Sequence, residues 1–189
     1  MIGKCGYDHT TEIYLSAFYC ILEEMICNMT NVSLTDSISR NFIAQMIPHH
    51  RAAIQMSQNI LRYTADKELQ EIASGIVAEQ TKSIEDMLAI EKSCGCFTNM
   101  YSKVQAYQCQ MDRIMRTMFA RMQNACATNR LNCDFLWEMI PHHEGAVKMS
   151  ETTLQYGVCP ELRPILEAIV ASQQKGVRQM QGLLCRLGC

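Results

Sequence analysis

The chain is predicted to be all-α, and three observations carry that expectation. Glycine and proline are scarce, 9 and 4 in 189 residues, which leaves few turns for a many-stranded fold and favours long helices. Apolar residues recur at helical spacing through most of the length. The pattern also repeats. Met46-Ile47-Pro48-His49-His50 returns 93 residues later as Met139-Ile140-Pro141-His142-His143. The same offset pairs Tyr14 with Tyr107, Met25 with Met118, Phe42 with Phe135, Gln80 with Gln173 and Cys96 with Cys189, without a gap. Two tandem three-helix repeats are expected, residues 1–95 and 96–189, each carrying one motif and together forming one compact domain.

The first helix is predicted over about Thr10–Met29, where Tyr14, Phe18, Ile21, Leu22, Met25 and Met29 share a stripe. Its counterpart aligns Tyr107, Met111, Ile114, Met115, Met118 and Met122 in the same way. The turn-rich segment 30–37 precedes a second helix with Ser39 as its N-cap, and Asn132 takes that part in the second copy. The second helices carry the motif and end near Tyr63 and Tyr156, with Gly157 as a stop signal. Third helices run from about Lys67 to Glu91 and from Pro160 to Leu187. Pro160 and Pro164 fall at a helix start, where a missing N–H is tolerated.

Composition narrows the function classes. A net charge of −2 with interspersed signs gives no electrostatic basis for binding nucleic acid or an anionic membrane. No apolar run is long enough to span a bilayer. The stretch Met1–Tyr7 lacks the apolar core of a secretory signal, so a cytoplasmic setting with reduced cysteines is expected. The 11 cysteines are an odd number and include no Cys-x-x-Cys pair, which argues against a zinc ribbon or a thioredoxin-like site. Most read as small buried hydrophobes. Cys94, Cys96, Cys185 and Cys189 cluster at the ends of the two repeats and are candidate accessory metal ligands, set apart from the histidines.

The motif holds four of the five histidines. On a helix, Met46, His49, His50 and Ala53 stand at i, i+3, i+4 and i+7, which is one face. Phe42 and Ile60 extend that face, so it must point inward, with Met56 at its margin. The second copy places Met139, His142, His143 and Met149 alike. Imidazole with thioether suits a soft or borderline cation, Cu(I) first among them. Pro48 and Pro141 interrupt the helix just before the histidines, at a cost of about 3 kcal/mol each. They free the carbonyls of Ala44 and Trp137, and the resulting bend either aims the imidazoles or wraps the helix around its core. Gln80 and Gln173 occupy equivalent inward positions, from which they could orient an imidazole through its second nitrogen. The chain has 14 methionines. Met111, Met115, Met118 and Met122 form an unbroken stripe that serves either as adaptable core or as accessory ligands. There is no inward Glu-x-x-His pair for a carboxylate-bridged di-iron centre, and no phosphate loop, nucleophile elbow or His-Glu-x-x-His motif.

With Met-Ile-Pro-His-His-x-x-Ala-x-x-Met at 46–56 and Met-Ile-Pro-His-His-x-Gly-Ala-x-x-Met at 139–149, the chain resembles the domain of unknown function 305 family from about residue 38 onward. The resemblance implies a ferritin-like helical bundle with two copies of the motif. Some members of that family look like copper-binding proteins of metal resistance. By analogy, the ligand roles fall on Met46, His49, His50, Met56, Met139, His142, His143 and Met149. Many relatives are exported, whereas this chain shows no signal and is rich in cysteine.

Three functions are compatible with these features. The first is a soluble Cu(I) buffer, store or chaperone that exchanges copper with a transporter or a second chaperone. The second is an enzyme using the paired histidines for acid–base or metal-assisted chemistry, though no nucleophile is evident. The third is a structural bundle in which the motif is a packing device.

Overall fold

The computed structural model describes residues 6–189; Met1–Cys5, most of the stretch read above for a signal, lie outside them. Six helices make up the fold: α1 His9–Thr30, α2 Ile38–Ile60, α3 Lys67–Cys94, α4 Tyr101–Gln123, α5 Leu131–Leu154 and α6 Leu162–Leu187. No strand occurs among the described residues. Shifted by the repeat offset of 93, the bounds of α1–α3 fall within two residues of those of α4–α6. No helix among the described residues is long and apolar enough to cross a membrane.

Packing follows from which helices are buried nearly all round. Along α2 only Arg40, Arg51, Gln55 and Gln58 are exposed, so this helix must be surrounded. It packs against α1, α3 and α5, while α5 packs against α4, α6 and α2; α3 and α6 close the other side. Both motif helices are therefore central. The methionine stripe of α4 is buried throughout, at Met111, Met115, Met118 and Met122. Gly145 shows how closely it sits on α5: a Cβ there would overlap the Met118 thioether.

The helix starts differ from expectation in detail. Ser37, not Ser39, caps α2, its hydroxyl accepting from the Arg40 N–H. Ser39 lies inside the helix, and its hydroxyl accepts from the Cys159 N–H at 2.9 Å, tying the two repeats together. Asn132 does not cap α5; Arg130 precedes that helix without a side-chain cap. What repeats is a device six residues long. The Asn41 side chain accepts from the Thr35 N–H and hydroxyl, and Asp134 does the same for Thr128. The third helix runs past Glu91 to Cys94, and α6 begins after Pro160, with Pro164 in its first turn.

The cysteines require the largest correction. Cys94 is bonded to Cys159 and Cys133 to Cys189, with Cα–Cα separations of 5.4 and 5.8 Å. Cys94 and Cys189 are thus neither reduced nor free to ligate an ion. The physical reason is that α3 and α6 run antiparallel, so the end of α3 meets the loop before α6. At the opposite end of this pair, Arg186 meets Asp66 at 3.3 Å and Glu68 at 2.7 Å. Cys96 and Cys185 are exposed and have no disulfide partner among the described residues, but they sit at opposite ends of helices about 40 Å long. The thiols expected at equivalent ends of the two repeats therefore do not form a pair of matching metal sites.

Candidate functional site

The motif histidines meet where α2 crosses α5. All four are buried, His49, His50 and His142 at 0% exposure and His143 at 2%. The His49 and His142 rings stack with centroids 3.6 Å apart and planes inclined by 31°. His50 and His143 flank them at 5.8 and 5.9 Å from their sequence neighbours. The expected inward face is therefore present in both copies, joined into one row of four imidazoles. Met46, Met56, Met139 and Met149 are buried on the same helices.

Hydrogen bonding assigns the protons of the inner pair. His49 Nε2 lies 3.2 Å from the carbonyl of His142, and His142 Nε2 lies 3.2 Å from the carbonyl of His49. A carbonyl can only accept, so each Nε2 carries hydrogen and each Nδ1 of the neutral ring keeps its lone pair. Those Nδ1 atoms are buried without a partner, as are the Nδ1 atoms of His50 and His143. The carbonyls used are those of the histidines themselves, not the Ala44 and Trp137 carbonyls freed by proline. Gln80 and Gln173 do not take the orienting role expected of them. Neither hydrogen-bonds an imidazole, and both amide atoms of Gln80 are buried and unpaired. The close crossing of α2 and α5 lets backbone do that work instead.

Burial dominates the electrostatics. It holds His49 and His142 well below the usual histidine range, and lowers His50 to about 3 and His143 to about 4. Neighbouring imidazoles add to the depression at His49, His142 and His50, since each opposes a proton on the next. The row is neutral at physiological pH, the form in which imidazole binds metals.

The outer histidines differ. His50 Nε2 lies 3.0 Å from the Ser83 hydroxyl, beside a cavity of about 370 Å³ between α3 and α6 that is also lined by Gln80 and Gln173. At the position the repeat offset gives for Ser83, the second copy has Gly176, and a Cβ there would stand 2.9 Å from the His143 ring. A further buried acid escaped the sequence reading. Glu138 is 3% exposed and accepts from the Tyr14 hydroxyl across the bundle at 2.6 Å. Burial pushes its carboxyl well up, with the Tyr14 hydrogen bond opposing. Its i, i+4 spacing to His142 placed it on the motif face and was the signal available.

The donor set fits a soft cation: bare imidazole nitrogens in a buried core whose side chains include thioethers. Histidine, cysteine and carboxylate alone do not make a preformed three-donor cluster around the motif. Among the described residues, the only group of this kind within 4.8 Å is Cys94, Cys159 and Glu161, whose two sulfurs are bonded to each other.

Comparison with known proteins agrees with this architecture. A crystal structure of a DUF305 fragment from Deinococcus radiodurans is similar, with a TM-score of 0.58 and 23% identity over 79% of this chain and 96% of that one. At that identity the likeness concerns the fold. No curated protein matches. The family described as a domain of unknown function, DUF305, matches residues 39–184, a span that contains both motifs and five of the six helices wholly or nearly so, and the chain belongs to that family.

Proposed function

We propose that this protein binds copper as Cu(I) in the bundle interior and buffers, stores or hands on the metal without turnover. The observation that carries the reading is the reciprocal pairing of His49 and His142. Each ring gives its Nε2–H to a carbonyl and leaves an unpartnered Nδ1 in the core, the arrangement in which a metal-ligating histidine is usually oriented. His50 and His143 would add nitrogen donors, and Met46, Met56, Met139 and Met149 thioethers. Met111, Met115, Met118 and Met122 would be accessory. A copper transporter or second chaperone would be the exchange partner. The two disulfides favour an oxidising compartment over the cytoplasm first expected.

Titration of anaerobic protein with Cu(I) against a chromogenic chelator tests the proposal. Copper should be withheld from the chelator, and replacing all four motif histidines by alanine should release it. Failure to compete, or unchanged affinity in the fourfold variant, rules the reading out.

One observation favours a second reading. The inner imidazoles already satisfy each other's backbone, so the motif also works as a clamp between α2 and α5. A purely structural clamp predicts that histidine substitutions cost stability while no metal is bound by the parent protein.

A further inference from the structure

We propose, resting on the copper-binding reading above, that the groove beside His143 is the route by which a cation reaches the interior imidazoles. The groove lies between α3 and α6, has a volume of about 200 Å³, and is lined by Glu68, Glu71, Glu79, Lys175 and Gly176, with His143 at its floor. His143 is 2% exposed, and its Nδ1 has no partner. Like His50 at the larger cavity, it is a point where the buried row reaches an opening, and it alone of the four rings is above 0% exposure.

The absence of a side chain at position 176 lets the His143 ring lie close against α6 at that groove. A Cβ on Gly176 would fall 2.9 Å from His143 Cδ2 and 3.2 Å from Nε2, so any larger residue would press on the ring. In the first repeat Ser83 occupies the corresponding place and engages His50 Nε2. The two ends of the row are thus built differently: one imidazole is held by a hydroxyl, and the other lies against a glycine at the edge of the groove.

Charge points the same way. Glu68 is paired with Arg186, but Glu71 and Glu79 make no hydrogen bond or ion pair among the described residues. They outnumber Lys175, so the groove presents net negative charge to an approaching cation and raises its local concentration. On the His50 side Asp86 is paired with Lys82, and Glu79 is the carboxylate common to both openings.

Loading kinetics test this. Cu(I), supplied as its cationic acetonitrile complex, is mixed with anaerobic protein, and excess chromogenic chelator is added after varied delays to strip whatever is not yet protected. Glu71→Gln/Glu79→Gln should slow protection by about tenfold at low salt and flatten its salt dependence, with the final amount of copper unchanged. Gly176→Ser should slow protection at equal final stoichiometry. Glu23→Gln/Glu85→Gln, which removes the same charge elsewhere, should load like the parent. Parent-like rates in both the carboxylate and the glycine variants overturn the route. If Gly176→Ser does not fold, Glu71→Gln, whose carboxylate lines the His143 groove and not the His50 cavity, decides alone: slowed protection supports the route and a parent-like rate overturns it. A parent protein that protects no copper overturns the copper reading and this route together.

Discussion

His49 and His142 each donate a ring N–H to the backbone carbonyl of the other, at 3.2 Å in both directions, with their rings stacked between. The bonds are mutual, so removing either ring strips the donor from the other residue's carbonyl and leaves a void against the remaining ring. His49→Ala or His142→Ala alone should cost about 1–3 kcal/mol in metal-free protein. The double variant should cost less than the two single losses together, with a coupling of about 0.5–3 kcal/mol. Urea unfolding of the four proteins measures it, and strict additivity would contradict the clamp.

Thioethers can be tested separately from packing. Met46→Leu and Met139→Leu conserve volume at positions with 0% exposure, so each should change stability by less than about 1.5 kcal/mol. Under the copper reading, the pair of substitutions should nonetheless weaken Cu(I) retention against a chelator. Equal retention in parent and variant would remove these two methionines from the ligand set.

Acid should unfold the protein through its histidines. Their folded pKa values lie below the unfolded value near 6.5, so the neutral row contributes stability that is intact above pH 6.5. That contribution is lost as pH falls, down to about 4 for His143 and about 3 for His50. Each site that charges only on unfolding shifts the folding equilibrium by about tenfold per pH unit within its window. Glu138 acts in the opposite sense, since its raised pKa favours the folded state at low pH. Denaturant midpoints between pH 7 and 4 should therefore fall, and the His50→Gln variant should show a shallower slope.

The disulfides should matter unequally to the assembly of the halves. Cys94–Cys159 closes 65 residues and spans the two repeats, whereas Cys133–Cys189 closes 56 residues within the second. Cys94→Ser/Cys159→Ser and Cys133→Ser/Cys189→Ser should each cost about 2–4 kcal/mol. A reductant added to the parent should lower its guanidinium midpoint toward that of the combined variant. No change on reduction would mean that the bridges contribute little.

The helices, the inward face of the motif and the burial of the methionine stripe were legible because each rests on local periodicity. Phe42, Met46, His49, His50 and Ala53 announce their common face within a dozen residues. The cysteine pairing was not legible: Cys94 and Cys159 meet only because α3 and α6 run antiparallel, and no spacing rule within either repeat encodes that. Tyr14 and Glu138 are likewise 124 residues apart in sequence. Ser39 looked like a cap because it precedes the apolar run, yet Ser37 is the residue whose backbone is still extended. The glutamines aligned with the histidines by repeat symmetry, but the neighbouring helix's backbone reached the imidazoles first.

The antiparallel pair α3 and α6 is fastened by a covalent bond at one end and by half-exposed ion pairs at the other. Exposed ion pairs hold weakly and yield to salt, while a disulfide does not. Because Cys133–Cys189 also ties the end of α6 to α5, any give at the ion-paired end should fall on the start of α3 around Asp66. Amide hydrogen exchange should accordingly be faster near residues 67–72 than near 88–94, with the contrast widening as ionic strength rises.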